Sequence, residues 1–224
     1  MAKILYGEIS PYSATRLERF AACAFAHFLQ YGLKVTERAE YEFRAMDMGN
    51  FMHMALEKFA VEVRKEGLDW AELTEEERNR IIDSCPDHVS AGYVNTVFKS
   101  SARNEYMLER TRRILRRTVW ALQEQLKHGA FRPEGFEVRF QGGRIDRVDI
   151  MEEPENNRVY VKVIDYKTGN TSFDLLALYH GLQLQLMVYL DGALQVEKRK
   201  YPDREIVPAG VFYYNVKDPM IQEK

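Results

Sequence analysis

The chain has 224 residues, 32 basic and 34 acidic side chains for a formal net charge of −2, and 46% hydrophobic residues. That length suits one domain with an appended subdomain and a sizeable core, and the near-neutral charge excludes nucleic-acid binding by bulk charge, leaving it to local patches. Two cysteines, Cys23 and Cys85, are too few for a disulfide framework and favour a reducing, cytoplasmic setting; no run of 18 apolar residues reads as a membrane span, and the opening "MAKILYGEIS" is not a signal peptide.

Residues 1–130 read as helices. Leu17, Phe20, Ala21, Ala24, Phe25 and Phe28 recur at three- and four-residue spacing, which predicts one helix with an apolar face and Ser13 as its cap. A second helix is expected from about Met48 to Arg64, capped by Asp47, burying Met52, Ala55, Leu56 and Phe59 and ending at Gly67. Thr74 to Glu77 has the form of a capping box, and the helix it opens should stop at Ser84 before Pro86, with further turns over Val89 to Phe98. A long helix from Ser101 to His128 carries Arg103, Arg110, Arg112, Arg113, Arg116 and Arg117. These arginines are interleaved with Glu105 and Glu109, so the stripe reads either as a phosphate contact or as a solvated face.

After Gly129 the period changes to two, and "GFEVRF", "GRIDRVDI" and "RVYVKVIDYK" read as three strands joined by turns at Gly142-Gly143 and "EEPENN". One helix is then expected over Phe173 to Leu194, followed by a strand in "VPAGVFYYNV". The order helix, three strands, helix, strand is that of an α/β fold, with 1–130 forming a helical arm and first core helix and 131–224 the α/β core.

Three charged residues break the strand pattern. Val159, Val161, Val163, Asp165 and Lys167 share one face, so a carboxylate and an ammonium finish an apolar stripe. Asp146 shares a face with Val148 and Ile150, whereas Asp149 goes with Ile145 and Arg147 on the other side. A hairpin between the two strands sets Asp146 beside Asp165. Two carboxylates brought together repel unless a cation lies between them, and oxygen ligands suit Mg²⁺ or Mn²⁺. An Asp…Asp-x-Lys set of this kind suits phosphodiester hydrolysis: the ion polarises the phosphoryl oxygen and acidifies water, and the ammonium orients that water or offsets developing charge. A satisfied ion pair of Asp165 with Lys167 is the plainer alternative.

"GGRIDRVDI", "KVIDYKTGNTSF" and "GLQLQLMVYL" together resemble the PD-(D/E)XK nuclease domain of the AddB/RecB type, whose fold is a restriction-endonuclease-like core around a mixed sheet. "SPYSATRLERFAACAFAHFLQYGLKVTER" and "MGNFMHMALEKF" resemble the N-terminal helices of the same family, so the likeness runs through nearly the whole chain. It implies a metal-dependent deoxyribonuclease acting in recombinational repair of double-strand breaks. It implies metal binding by Asp146, Asp165, the Tyr166 carbonyl and His53 of the Gly49-x-x-x-His53 motif, catalysis by Lys167, and an orienting role for Gln185 and Tyr189 of the Gln-x-x-x-Tyr motif. Glu137 stands as a secondary candidate for orienting a metal water, or as a surface residue. The partners implied are DNA and an AddA-like helicase-nuclease subunit, and a module that binds DNA ends or a partner without cutting is the alternative. The resemblance also implies that Cys23 joins three cysteines beyond the nuclease core to hold a [4Fe–4S] cluster. This chain stops at "DPMIQEK", so it is expected to be a piece of a larger polypeptide, unable to form the cluster by itself. No Walker A pattern is present.

Overall fold

The structure, a computed structural model, describes residue 6 and residues 13–36, 45–92 and 102–216. Chain contacts divide it into two units. The first unit holds the N-terminal helices with residues 133–165 and 171–214, and the second holds three long helices with residues 166–170.

In the first unit, α1 (Ala14–Ala22) begins where the Ser13 hydroxyl accepts from the Arg16 amide, as its sequence predicts. The single long helix expected there is interrupted. Cys23 is extended, with φ −165° and ψ 107°, and α2 (Ala24–His27) restarts after it and runs into a π-turn at Phe28–Gly32. The break rotates the expected apolar stripe, and Phe20 and Phe25 are 59% and 67% exposed. Arg16 holds the two helices together: its guanidinium lies 5.4 Å from the centre of the Tyr6 ring and 5.0 Å from that of Tyr31, and its Nε donates to His27 Nε2 at 3.3 Å.

The second unit contains α3 (Ala45–Lys65), α4 (Glu75–Gly92) and α5 (Ala102–Lys127). Met52, Ala55, Leu56 and Phe59 are buried as the helical spacing requires, and Phe59 meets Trp70 edge-on at 4.9 Å. Because α3 starts at Ala45, Asp47 lies inside it and is no cap. Thr74 and Glu77 form the reciprocal capping box, with the Thr74 amide donating to Glu77 Oε2 at 2.9 Å and the Glu77 amide to Thr74 Oγ1 at 3.2 Å. The expected stop before Pro86 is absent, and α4 continues to Gly92. Proline removes one backbone hydrogen bond, but Ile81, Ile82 and Cys85 in the preceding turn are fully buried, and that packing outweighs the lost bond. The turns expected beyond Gly92 lie outside the described residues. On α5, Arg116 pairs with Asp83 of α4 at 2.5 Å and Arg112 with Glu109 of the same helix at 3.7 Å, so two arginines of the stripe have acidic partners.

The sheet has the order β1-β2-β3-β4, with β1 at Arg132–Phe140, β2 at Gly143–Glu153, β3 at Arg158–Lys167 and β4 at Glu205–Asn215. β2 and β3 are antiparallel, pairing Arg147 with Ile164, Val148 with Val163, Asp149 with Lys162 and Ile150 with Val161. The Glu205 amide donates to the Asn157 carbonyl at one end of β3, and the Val216 amide to the Lys167 carbonyl at the other, so β4 runs parallel to β3 and the sheet is mixed. The parallel crossover requires a covering helix, and α7 (Gln185–Lys200) supplies it. The single helix expected over Phe173 to Leu194 is two. α6 (Leu175–Tyr179) is capped by Asp174 and closed at Gly181, whose φ of +74° lets the Leu182 amide reach back to the Ala177 carbonyl at 2.8 Å; α7 then starts afresh.

Ile145, Val148, Ile150, Val159, Val161, Val163 and Ala193 form the core of this unit, with Phe140, Leu190, Leu194 and Val211 packed around it. β2 departs from simple alternation, because Arg147 and Asp149 are buried as completely as the apolar residues between them. Asp149 is therefore no ordinary solvent-facing residue. Arg147 donates to it twice, at 2.5 and 3.0 Å, Lys162 reaches it from the facing strand at 2.9 Å, and the Arg147 guanidinium lies over the Phe136 ring. Among the described residues no helix is long and apolar enough to cross a membrane.

α7 lies close to β1 at Gly192, where an added Cβ would fall within 2.7 Å of Phe140 Cγ. Gly192→Ala gains up to about 1 kcal/mol of helix propensity but pushes the helix off the ring, at a cost of about 1–3 kcal/mol. The expected outcome is a net loss of stability of roughly 1–2 kcal/mol, read as a lower urea midpoint with an unchanged m-value.

Candidate active site

Continuing the β2–β3 register by one pair beyond Arg147 and Ile164 sets Asp146 against Asp165. Both are buried, at 7% and 1% exposure, where the apolar stripe of each strand meets its polar end. Glu137 on β1 joins them: its carboxylate and that of Asp146 offer oxygens within 4.8 Å of one another. Glu137 has φ +49° inside a strand, a conformation that costs a non-glycine residue energy. The side chain is nearly buried and ion-paired with Arg144, so the surface reading of this residue does not hold.

The helix that covers the sheet completes this side. Gln185 is the first residue of α7 and Tyr189 lies one turn later, which places both on one face. Gln185 Nε2 donates to Asp165 Oδ1 at 2.9 Å and to the Tyr189 hydroxyl at 3.0 Å. The Tyr189 phenol is pushed up to about 12, first by burial and then by the charges of Asp165, Asp146 and Glu137, against which the Gln185 hydrogen bond acts. Tyr213 of β4 is likewise pushed up to about 12 by burial, with Asp165, Glu18 and Tyr189 adding to the effect. The phenols thus stay protonated beside a cluster of carboxylates.

In the other unit, His53 of α3 lies with Nε2 3.1 Å from the Tyr166 carbonyl oxygen, and its ring meets the Tyr166 ring edge-on at 6.1 Å. Gly49, one turn earlier, faces the stretch that follows β3: a Cβ there would stand 3.3 Å from Thr168 Oγ1. Lys167 ends β3, half-buried, with its carbonyl accepting from the Val216 amide at 2.7 Å. Cys23 is exposed at the break between α1 and α2. Cys85 is buried, and desolvation pushes its thiol up to about 12, which makes it inert.

Opposed aspartates at the end of a hairpin, the second followed by x-Lys, are the sequence motif of one nuclease family. Residues 11–224 match the family model described as the PD-(D/E)XK nuclease superfamily. The chain belongs to this superfamily. Among its curated relatives, a protein of Lachnoclostridium phytofermentans, named as a subunit of an ATP-dependent helicase/deoxyribonuclease, is 47% identical over 99% of this chain and 20% of its own length. Proteins of the same name from Alkaliphilus metalliredigens and Clostridium perfringens are 38% and 36% identical over 99% and 95% of the chain. The chain spans about a fifth of the length of these relatives.

Within the PD-(D/E)XK framework, two residues near the site carry no sequence signal. Glu18 reads as the polar side of an amphipathic helix, and Tyr213 as one more residue in a strand; only the packing of α7 and β4 brings them close to Asp165. Glu137 is visible in the sequence only as a glutamate opening a strand, because a positive φ is not encoded in alternation.

The raised phenols fix one pH dependence. Native Tyr189 and Tyr213 hold protons that the unfolded chain releases from about pH 10, so stability is complete below that pH and falls as pH rises from about 10 towards 12. Tyr189→Phe removes one of the two groups and should flatten the decline, which urea midpoints measured at about pH 9, 10 and 11 will show.

Proposed function

We propose that this chain is a Mg²⁺- or Mn²⁺-dependent deoxyribonuclease module of a helicase-nuclease subunit, hydrolysing DNA phosphodiesters during recombinational repair of double-strand breaks. The observation that carries the reading is the opposition of buried Asp146 and Asp165, with Glu137 beside Asp146, at the end of one hairpin. The superfamily match and the deoxyribonuclease named in the relatives support it. An AddA-like subunit as partner and a cytoplasmic setting belong to the same proposal.

The donor set fits a hard divalent ion. Carboxylate oxygens from Asp146 and Asp165 and the Tyr166 carbonyl are the ligand types that Mg²⁺ and Mn²⁺ favour, and His53 adds an imidazole, which Mn²⁺ accepts more readily than Mg²⁺. His53 Nε2 and the Tyr166 oxygen lie 3.1 Å apart, so these two residues would hold the ion from neighbouring atoms. When bound, the ion would supply Lewis acidity and an acidified water. The chain's own residues do the rest. Gln185 holds one oxygen of Asp165 and so fixes the plane of its carboxylate. Tyr189, held protonated, accepts from Gln185 and keeps its proton rather than acting as a base. Lys167 offers a compact positive charge two residues from Asp165, suited to orienting the attacking water and to offsetting charge on the attacked phosphate. Cys23 is exposed where a [4Fe–4S] cluster completed by three thiolates from outside this chain could use it.

Calorimetric titration with Mn²⁺ followed by digestion of labelled single-stranded DNA tests the reading. Asp146→Ala and Asp165→Ala should each abolish cleavage while metal-free stability is kept or rises, because a like-charge contact is relieved. Lys167→Met should keep metal and DNA binding and lower the single-turnover rate by roughly 10²-fold, with Lys167→Arg restoring it only in part. Wild-type cleavage in either aspartate variant would end the proposal, and an unchanged rate in Lys167→Met would reduce that lysine to the ion-pair partner of Asp165.

A further inference from the structure

The first amides of a helix have no partner within the helix and need an acceptor from elsewhere. α7 begins after Leu184, whose side chain makes no capping hydrogen bond. The acceptor comes from α1. Glu18 Oε1 receives the Leu184 amide at 2.7 Å and the Gln185 amide at 3.0 Å, across 166 and 167 residues of chain. A carboxylate at this end of the helix also meets the positive pole of its dipole.

The turn that leads into α7 has other tasks for its polar groups. Gln183 accepts from the Asp174 amide at 2.7 Å and donates to the Ser172 carbonyl at 2.8 Å, which closes the loop around α6 but leaves the start of α7 to Glu18. Gln185 is therefore held at two points. Its backbone amide is fixed by Glu18, and its side-chain amide spans Asp165 and Tyr189. A residue that merely stabilised the helix would serve equally well from position 184; a carboxylate brought from α1 also sets where the helix begins, and with it how far Gln185 extends toward Asp165.

We propose that Glu18 is a positioning residue of the active site, which fixes the origin of α7 so that Gln185 holds the Asp165 carboxylate in the orientation a divalent ion requires. The last step rests on the metal-dependent reading above; the link from Glu18 to Gln185 does not.

Two measurements on the whole chain test it. In metal-free ¹⁵N–¹H spectra the side-chain amide pair of Gln185 is identified by its loss in Gln185→Ala. Glu18→Ala should shift that pair and speed hydrogen exchange at Leu184 and Gln185 by about tenfold or more, and Glu18→Gln, which keeps an oxygen acceptor, should shift it less. If Glu18→Ala fails to fold, Glu18→Gln is read in the same way. An amide pair that stays in place in the folded variant overturns the proposal. Mn²⁺ calorimetry then compares the wild-type chain, Glu18→Ala, Gln185→Ala and the double variant. Glu18→Ala should weaken binding by about tenfold, and this loss should disappear in the Gln185→Ala background. An equal loss in both backgrounds would mean that Glu18 acts by another route and would overturn the proposal. Absence of Mn²⁺ uptake by the wild-type chain would instead overturn the metal reading, while the amide pair still decides whether Glu18 sets Gln185.

Discussion

The register of the β2–β3 hairpin is the constraint on which the site depends. Strand side chains alternate with a period of two, so a slip of one residue would carry every one of them to the opposite face. Val148 against Val163 and Ile150 against Val161 penalise such a slip through lost apolar burial, and Asp149 against Lys162 penalises it through an unpaired buried charge. Asp146 and Asp165 are like charges, and their mutual opposition does not favour the pairing. Two carboxylates opposed at a strand end repel, and they are held there by the apolar and ionic pairs further along the same hairpin.

The hairpin treats its buried acids in two ways. Asp149 is surrounded by cations, with Arg147 bidentate and Lys162 from the facing strand, the arrangement that lets a charge be buried at tolerable cost. Asp146 and Asp165 are accompanied by a third carboxylate, Glu137, and by the amide of Gln185 and the phenol of Tyr189, a set rich in oxygen. The contrast lies in composition rather than in depth, since both kinds of acid are almost inaccessible to solvent.

Much of this is legible in the sequence, for reasons that differ by element. Period-two alternation locates β2 and β3, and the intrusion of Asp146, Asp165 and Lys167 into that alternation marks the site from residue order alone. The capping box at Thr74 and the long helix α5 are equally plain. The breaks are not. Cys23 leaves the helical region in the middle of an apolar run, a break that residue spacing does not show, and α4 passes through Pro86 because the buried turn before it overrides local preference. Asp149 reads as an outward residue because alternation cannot reveal that both faces of a central strand are covered. Glu18 is out of reach for a different reason: its partners are two backbone amides far along the chain, and amides leave no mark in residue identity.

That same separation has a consequence for how the protein is made. Chains emerge from the ribosome at about 5–20 residues per second, so the amides that Glu18 caps appear roughly 10–30 s after it does. Until then α1 exists without α7, and contacts this distant in sequence are the slow ones to close. The Glu18 cap on α7 therefore closes after the β2–β3 hairpin, whose partners lie close together in the chain. A nascent chain carries Glu18 well before it has the amides that Glu18 holds.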